Sequence, residues 1–313
     1  MAINLKEANK KPELLAGGHA ACSGCAGPII LRQVLYAAEN PVVVGCATGC
    51  MEVSTTIYPS TAWRVPFIHN AFENAAATVS GVETAYRALR KKGKITREIN
   101  FIAFGGDGGT YDIGLQSLSG ALERGHKMLY VCYDNEAYMN TGIQRSSATP
   151  HGAWTTTAPV GSVSTGKTQN RKNLTDIVIA HNPAYVAQAS PHNFRDFMGK
   201  VQKALSMNGP SFINVLQPCH RGWRIKVEDS IRMAELAVEC CFWPLFEWQG
   251  WKYTVNYKPK EKQPIEPWLK QQGRFAHLFS PANKHVIDEL QAETDRIWND
   301  LLAKEAASAA KTA

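Results

Sequence analysis

The chain lacks any run of about 18 uninterrupted apolar residues, so no obvious membrane-spanning helix is written into it. Met1–Leu15 is polar and lysine-rich, without the apolar middle of a secretory signal, and the expectation is a cytoplasmic protein with no membrane association. No basic stripe interleaved with aromatic residues occurs and no nucleic-acid-binding module is recognisable, so no nucleic-acid partner is expected despite a net charge of +7. No internal repeat is evident.

What is present suits a globular protein. The 313 residues are 44% hydrophobic and 19% charged, enough for one large core, or one core plus an extension. The 34 basic and 27 acidic residues are scattered, with short basic clusters at Arg90–Lys94 and Lys258–Lys262. These read as solvated surface, with some capacity to steer an acidic partner. Eight cysteines stand at 22, 25, 46, 50, 132, 219, 240 and 241. In a reducing compartment they point to metal ligation or simple burial rather than disulfides.

Apolar patterning gives short buried strands at Pro41–Gly45, Asn100–Phe104, Met128–Tyr133, Ile177–Ala180, Tyr185–Ala189 and Ser211–Leu216. Helical spacing covers Ile29–Ala38, Phe72–Lys92, Ile113–Arg124, Asn193–Met207 and Lys284–Lys304. Thr155–Arg171 is polar and reads as a long loop. Strand, turn and helix in alternation predict an α/β fold with a parallel sheet and helices on both faces. Residues 1–242 form the expected main domain. Residues 243–313 form a C-terminal arm and helix, rich in Pro, Lys and Trp up to Gln272, as in an arm laid over a partner. Ala306–Ala313 is expected to fray.

The sharpest local signal is Gly106-Asp107-Gly108-Gly109 at the end of a buried strand, with Asn135 28 residues on, just past the next strand. Glycines let a backbone approach a diphosphate closely, and the helix that follows offers free N–H groups. The Asp107 carboxylate, the Asn135 side-chain carbonyl and the Ala137 main-chain carbonyl can together hold a hard cation such as magnesium. This segment is not GxGxxG and carries no Gly-Lys-Ser/Thr, so nicotinamide and P-loop readings of it fail. The second signal is Cys22-Ser23-Gly24-Cys25, with Cys50 after the next strand and Cys219 far downstream in Gln217-Pro218-Cys219-His220. Cys46 rivals Cys50 but ends an apolar strand and reads as buried. Cys132, Cys240 and Cys241 read as core or partner-facing. Spacing alone leaves a [4Fe–4S] cluster and structural zinc both open.

Taken together, His19-x-x-Cys22-x-Gly24-Cys25, Ala47-Thr48-Gly49-Cys50, the late Pro218-Cys219 and the Gly-Asp-Gly…Asn pair resemble the β subunit of the 2-oxoacid:ferredoxin oxidoreductases. The likeness runs from His19 to about Trp248. Its most specific stretch is Tyr133-Asp134-Asn135-Glu136-Ala137-Tyr138-Met139-Asn140-Thr141-Gly142-Ile143-Gln144. The resemblance implies thiamine diphosphate with Mg2+ at Asp107, Asn135 and Ala137, cradled by Gly106, Gly108 and Gly109. It implies a [4Fe–4S] cluster on Cys22, Cys25, Cys50 and Cys219. Asn140 and Thr141 are then expected to face cofactor or substrate, with Cys50 and Glu52 lining the cofactor site. The implied reaction is oxidative decarboxylation of a small 2-oxoacid, pyruvate first and oxalate as an option, with coenzyme A as a possible acceptor and electrons passing to ferredoxin.

The carboxylate that activates the aminopyrimidine ring comes from a partner subunit in such enzymes, and it is assigned to neither Glu52 nor Glu73. The repeated CxxCxxC pattern of ferredoxins is also absent here. Both absences imply an obligate hetero-oligomer with pyrimidine-domain and ferredoxin-like subunits. The sequence departs from the family at Ala26-Gly27-Pro28 and at Arg64-Val65-Pro66-Phe67; an arginine near the pocket would favour a more anionic substrate such as oxalate. Two other readings stand beside this one: a thiamine-dependent decarboxylase without redox chemistry, and a non-catalytic iron–sulfur electron-transfer subunit.

Overall fold

A computed structural model describes residue 6 and residues 9–310. Eight strands form a single sheet: β1 Val42–Ala47, β2 Phe67–Asn70, β3 Asn100–Gly106, β4 Leu129–Asp134, β5 Tyr185–Ala189, β6 Ser211–Leu216, β7 Phe246–Gln249 and β8 Lys252–Val255. Their order is β2-β1-β3-β4-β6-β5-β7-β8. The first six run parallel, while β7 and β8 add on antiparallel beyond β5.

The strands are apolar on both sides because both faces are covered. Alternate residues of β1, β3 and β4 divide between two cores. Val44, Ile102, Phe104 and Val131 pack with Ile30, Leu31 and Val34 of the helix Ala26–Ala37 and with Phe197 and Val201 of the helix Phe194–Ser206. Phe101, Ala103 and Tyr130 face Ala75, Ala76 and Val79 of the helix Ala75–Lys91 and Leu118 of the helix Leu115–Glu123. The order in which strands are added reverses at β1: β2 lies on one side of it and β3 on the other. The carboxyl ends of β1 and β3 therefore flank a topological switch point, the place where open α/β sheets bind ligands.

Two expectations are corrected. Ile177–Ala180 is not a strand: Leu174–Ile179 is a helix, capped by Asn173, whose side chain accepts from the Asp176 N–H at 3.2 Å, with Leu174 and Val178 turned to the core. The C-terminal helix runs Lys284–Ala310, so the chain is helical through most of the stretch expected to fray; positions 311–313 lie outside the described residues. Trp243, Trp248 and Trp268 are buried in the chain's own cores, whereas Trp251 is 71% exposed. Among the described residues no helix is long and apolar enough to cross a membrane.

Candidate active site and cysteine cluster

One crevice at the carboxyl ends of β1, β3 and β4 is lined by Thr48, Gly49 and Cys50, by Gly106–Gly109, and by Tyr133, Asn135 and Ala137–Thr141. Asp107 and Asn135 meet there because β3 and β4 are neighbours in register. Immediately after Asp107 the backbone opens into one wide π-turn, Gly108–Ile113, before tightening into the helix Leu115–Glu123. Such turns are rare and concentrate at functional sites. Glycine is required at 108 by close approach: a Cβ there would lie 2.4 Å from the Tyr138 ring, whose hydroxyl donates to the Gly108 carbonyl at 2.8 Å.

Three oxygens converge in this crevice. The Asn135 amide end facing Asp107 lies 3.0 Å from Asp107 Oδ1 and 2.7 Å from the Ala137 carbonyl oxygen. With nitrogen at that end the amide donates to both. With oxygen there, Nδ2 instead donates to Gln217 Oε1 at 3.3 Å, and the amide oxygen faces two further oxygens. That arrangement needs either a proton kept on Asp107 or a cation among the oxygens. Oxygens bound to magnesium at about 2.1 Å in an octahedron lie about 3 Å apart along an edge, near the 3.0 and 2.7 Å that separate the Asn135 amide end from Asp107 and Ala137. The residues present therefore fit a magnesium ion.

The electrostatics agree with this geometry. Burial, and next the Asp134 carboxylate, push Asp107 well above the usual carboxylate range, while the Ser146 hydroxyl and Arg171 pull it down. Ser146 Oγ donates to Asp107 Oδ2 at 2.5 Å, and the Asn135 N–H donates to Oδ1 at 3.3 Å. A cation at the open side would supply the charge that this carboxylate lacks.

The loop after β4 is held from behind. Glu136 is fully buried at φ 69°, and its carboxylate accepts from Arg171 Nη1 at 2.9 Å and Arg274 Nη2 at 2.5 Å. Arg171 also pairs with Asp134 and stacks over the Trp243 ring, its guanidinium carbon 4.7 Å from the centroid. The Trp223 indole N–H donates to the Asn135 carbonyl at 2.9 Å. Asn140 and Thr141 lie on the exposed rim of the crevice, with Thr141 Oγ1 donating to Gln144 Oε1 at 2.5 Å. Glu52 Oε1 accepts from Thr56 Oγ1 at 2.7 Å, and its Oε2 lies 3.5 Å from His69 Nε2. Arg64 is exposed and precedes the amino end of β2, whereas the crevice lies at the carboxyl ends of the neighbouring parallel strands.

Cys22, Cys25, Cys50 and Cys219 are close enough to repel one another as thiolates. Burial, then Cys219, Cys25 and Cys22, push Cys50 up to about 12. Burial, with Cys219 and Cys22 behind it, pushes Cys25 up to about 11. Burial also raises Cys219. Cys25 and Cys219 cap the helices Ala26–Ala37 and His220–Trp223, and Cys50 opens the helix Cys50–Thr55. Cys25 Sγ accepts from the Gly27 N–H at 3.4 Å, and Cys219 Sγ from the Gly222 N–H at 3.4 Å. Helix starts and N–H···S contacts stabilise thiolate ligands.

Gly24, at φ +74°, allows the Cys22–Cys25 turn, where a Cβ would strike the Val227 carbonyl oxygen at 2.3 Å. Among the described residues no three His, Cys, Asp or Glu side chains close on one point as for a single metal ion. Cys46, Cys132, Cys240 and Cys241 are buried, as anticipated.

Sequence reasoning missed Gln217, Ser146, Arg171 and Arg274. It also passed over Gly161-Ser162-Val163-Ser164-Thr165-Gly166-Lys167-Thr168, which spells a phosphate-loop pattern. The fold refuses that role: no strand leads into the segment and no helix follows it directly. Lys167 is buried and donates to the carbonyls of Thr149 at 2.5 Å and Ser147 at 3.2 Å, so it has no free donor face for a phosphate.

Residues 43–215, more than half of the chain, match the family "Thiamine pyrophosphate enzyme, C-terminal TPP binding domain". Pyruvate synthase subunit PorB of Thermotoga maritima is 55% identical over 315 residues, covering 97% of each chain. The PorB subunit of Methanocaldococcus jannaschii is 53% identical over 86% of this chain and 91% of its own. Ketoisovalerate oxidoreductase subunit VorB of Pyrococcus abyssi is 44% identical over 91% of each. In fold the chain resembles a 2-oxoglutarate:ferredoxin oxidoreductase from Magnetococcus marinus, with a TM-score of 0.56 at 19% identity over 72% of this chain and 81% of that one. A switch-point crevice of diphosphate-binding type in a chain of this kinship has one family reading: the chain belongs to the 2-oxoacid:ferredoxin oxidoreductases, as their thiamine-diphosphate-binding β subunit.

Proposed function

We propose that this chain carries out the oxidative decarboxylation of pyruvate, with electrons leaving through a [4Fe–4S] cluster held by Cys22, Cys25, Cys50 and Cys219. The observation that carries the reading is the pair of adjacent sites: Asp107, Asn135 and the Ala137 carbonyl converge in the crevice that Cys50 also lines, and the Gln217 amide reaches from Asn135 to Cys25. Thiamine diphosphate, when bound, supplies the carbanion chemistry that lets carbon dioxide leave a 2-oxoacid. The protein's own task is to hold and orient. Asp107, Asn135 and Ala137 anchor the diphosphate through Mg2+, and Gly108 and Gly109 leave the room it needs. Asn140 and Thr141 form the rim at which the substrate enters.

Each turnover releases two electrons. A [4Fe–4S] cluster, if bound, would be held by Cys22, Cys25, Cys50 and Cys219 and would supply one-electron chemistry beside the cofactor. Residues 1–242 carry both sites. Residues 243–313 brace them through Arg274 and leave Trp251 for a partner surface. Other subunits supply the aminopyrimidine carboxylate and the further clusters that lead to ferredoxin in the cytoplasm.

Pyruvate is favoured over oxalate because the PorB relatives are pyruvate synthases and Arg64 lies away from the crevice. The test is viologen reduction by the anaerobically purified complex with pyruvate, 2-ketoisovalerate or oxalate, with and without coenzyme A. Coenzyme-A-dependent reduction by pyruvate supports the proposal. Reduction by oxalate without coenzyme A overturns the substrate. Decarboxylation with no dye reduction overturns the redox role.

A further inference from the structure

We propose that Gln217 is a positioning residue that couples the magnesium–diphosphate site to the cluster through one side-chain amide. In the Asn135 orientation that turns its oxygen to the cation, Gln217 Oε1 accepts from Asn135 Nδ2 at 3.3 Å, and Gln217 Nε2 donates to Cys25 Sγ at 3.4 Å. The inference rests on the proposed cation and cluster sites.

Gln217 is built in. It is 1% exposed, and its main-chain N–H donates to the Asp134 carbonyl at 2.7 Å, which fixes it beside the strand end that leads into Asn135. Gly27 leaves the space its amide occupies: a Cβ there would lie 2.8 Å from Gln217 Nε2 and 2.3 Å from Met51 Sδ. An amide suits this place because it carries a donor and an acceptor at opposite ends.

The consequence on the cation side follows from the two orientations of Asn135. Without a cation, the Asn135 amide satisfies itself by donating to Asp107 and Ala137. With one, its oxygen must turn to the metal, and the nitrogen is then left needing an acceptor inside a buried site. Gln217 Oε1 is that acceptor. Binding of the cation therefore completes the hydrogen bond to Gln217, which holds the amide so that Nε2 stays on Cys25. On the cluster side, a hydrogen bond to a ligand sulfur withdraws electron density and raises the reduction potential.

Three versions of the complete complex, purified anaerobically, test this: wild type, Gln217→Met and Gln217→Glu. Iron, acid-labile sulfide and zinc are assayed first. Wild type in which these cysteines hold no iron ends the cluster reading itself, and the cluster arm of the inference with it. Two readouts independent of turnover follow: the midpoint potential of the cluster nearest the cofactor, by EPR-monitored titration, and the Mg2+ concentration needed to retain thiamine diphosphate. Gln217→Met is expected to make the potential more negative and to raise the Mg2+ requirement about 10- to 100-fold, as for other groups that orient metal ligands. Gln217→Glu keeps an acceptor for Asn135 and is expected to recover Mg2+ affinity toward the wild-type value. Because it adds no bulk, it also serves if the Met variant fails to assemble. An unchanged potential, an unchanged Mg2+ requirement in Gln217→Met, or equal Mg2+ loss in both variants overturns the coupling.

Discussion

Arg274 and Glu136, 138 residues apart in sequence, are joined by a buried ion pair of 2.5 Å, with side chains 2% and 0% exposed. The pair ties the C-terminal segment to the loop that carries Asn135 and Ala137. Arg274 also stacks over the Trp223 ring at 4.2 Å, and Trp223 holds the Asn135 carbonyl. The outer segment therefore sets the geometry of the proposed cation site without touching the ion.

Removing Arg274 leaves the buried Glu136 carboxylate with Arg171 as its remaining ion-pair partner and one oxygen unmatched. Arg274→Met is expected to destabilise the chain by about 3–5 kcal/mol. The double change Arg274→Met with Glu136→Gln, which removes both charges, is expected to recover part of that loss. Denaturant unfolding of the single and double variants measures both. A double variant less stable than Arg274→Met would show that the pair is not the source of the cost.

Asp107 is the one carboxylate among the three converging oxygens. Asp107→Asn keeps the shape and removes the charge, and is expected to weaken Mg2+-dependent retention of thiamine diphosphate at least 100-fold. Cofactor content after gel filtration in Mg2+ reads this directly. A variant that still carries a full complement of cofactor would refute the assignment.

The raised pKa of Asp107 fixes the sign of a pH effect. Between the ordinary carboxylate value of 3.8 and its higher folded value, the cation-free folded chain keeps a proton that the unfolded chain has released. Stability of that form therefore falls as pH rises through this window. Magnesium requires the free carboxylate, so in the same window binding expels the proton and affinity rises with pH, approaching tenfold per unit. Calorimetry of Mg2+ and thiamine diphosphate binding to the cofactor-stripped complex, in two buffers of different ionisation heat, counts the proton. Binding without proton release at any pH the complex tolerates would contradict the account.

Much of this was legible in the sequence where neighbours in the chain are neighbours in function. Gly106–Gly109 and Asn135 could be placed at two strand ends because each follows an apolar run that ends abruptly. The cysteines could be sorted because Cys46 sits within such a run and Cys50 beyond it. The Ile177-Val178-Ile179 run misled, since β-branched residues favour strands, and the Asn173 cap with core contacts at 174 and 178 outweighed that preference. Gln217 and Arg274 were not legible as site residues: their partners lie 82 and 192 residues away for Gln217 and 138 for Arg274, and no local pattern encodes such pairs. The tryptophans of the last segment signalled a covered surface, but composition does not say that the covering comes from the chain itself.

The cysteine assignment separates two groups by outcome. Cys219→Ala is expected to remove a cluster ligand, whereas Cys240→Ala, in the apolar core, is expected to cost about 1 kcal/mol and leave metal content unchanged. Stability and metal content measured on the same preparations distinguish them. Equal metal loss in both variants would mean that iron is lost through unfolding and not through ligation.

The most direct test of the account is a comparison of iron, acid-labile sulfide and thiamine diphosphate in the anaerobically purified complex carrying wild-type, Cys50→Ala or Cys219→Ala chains. The account predicts that each variant loses about four irons and four sulfides per β chain, while Mg2+ and thiamine diphosphate remain bound at Asp107 and Asn135. Iron and sulfide equal to wild type in both variants would contradict it, and would leave a thiamine-dependent subunit whose cysteines take no part in electron transfer.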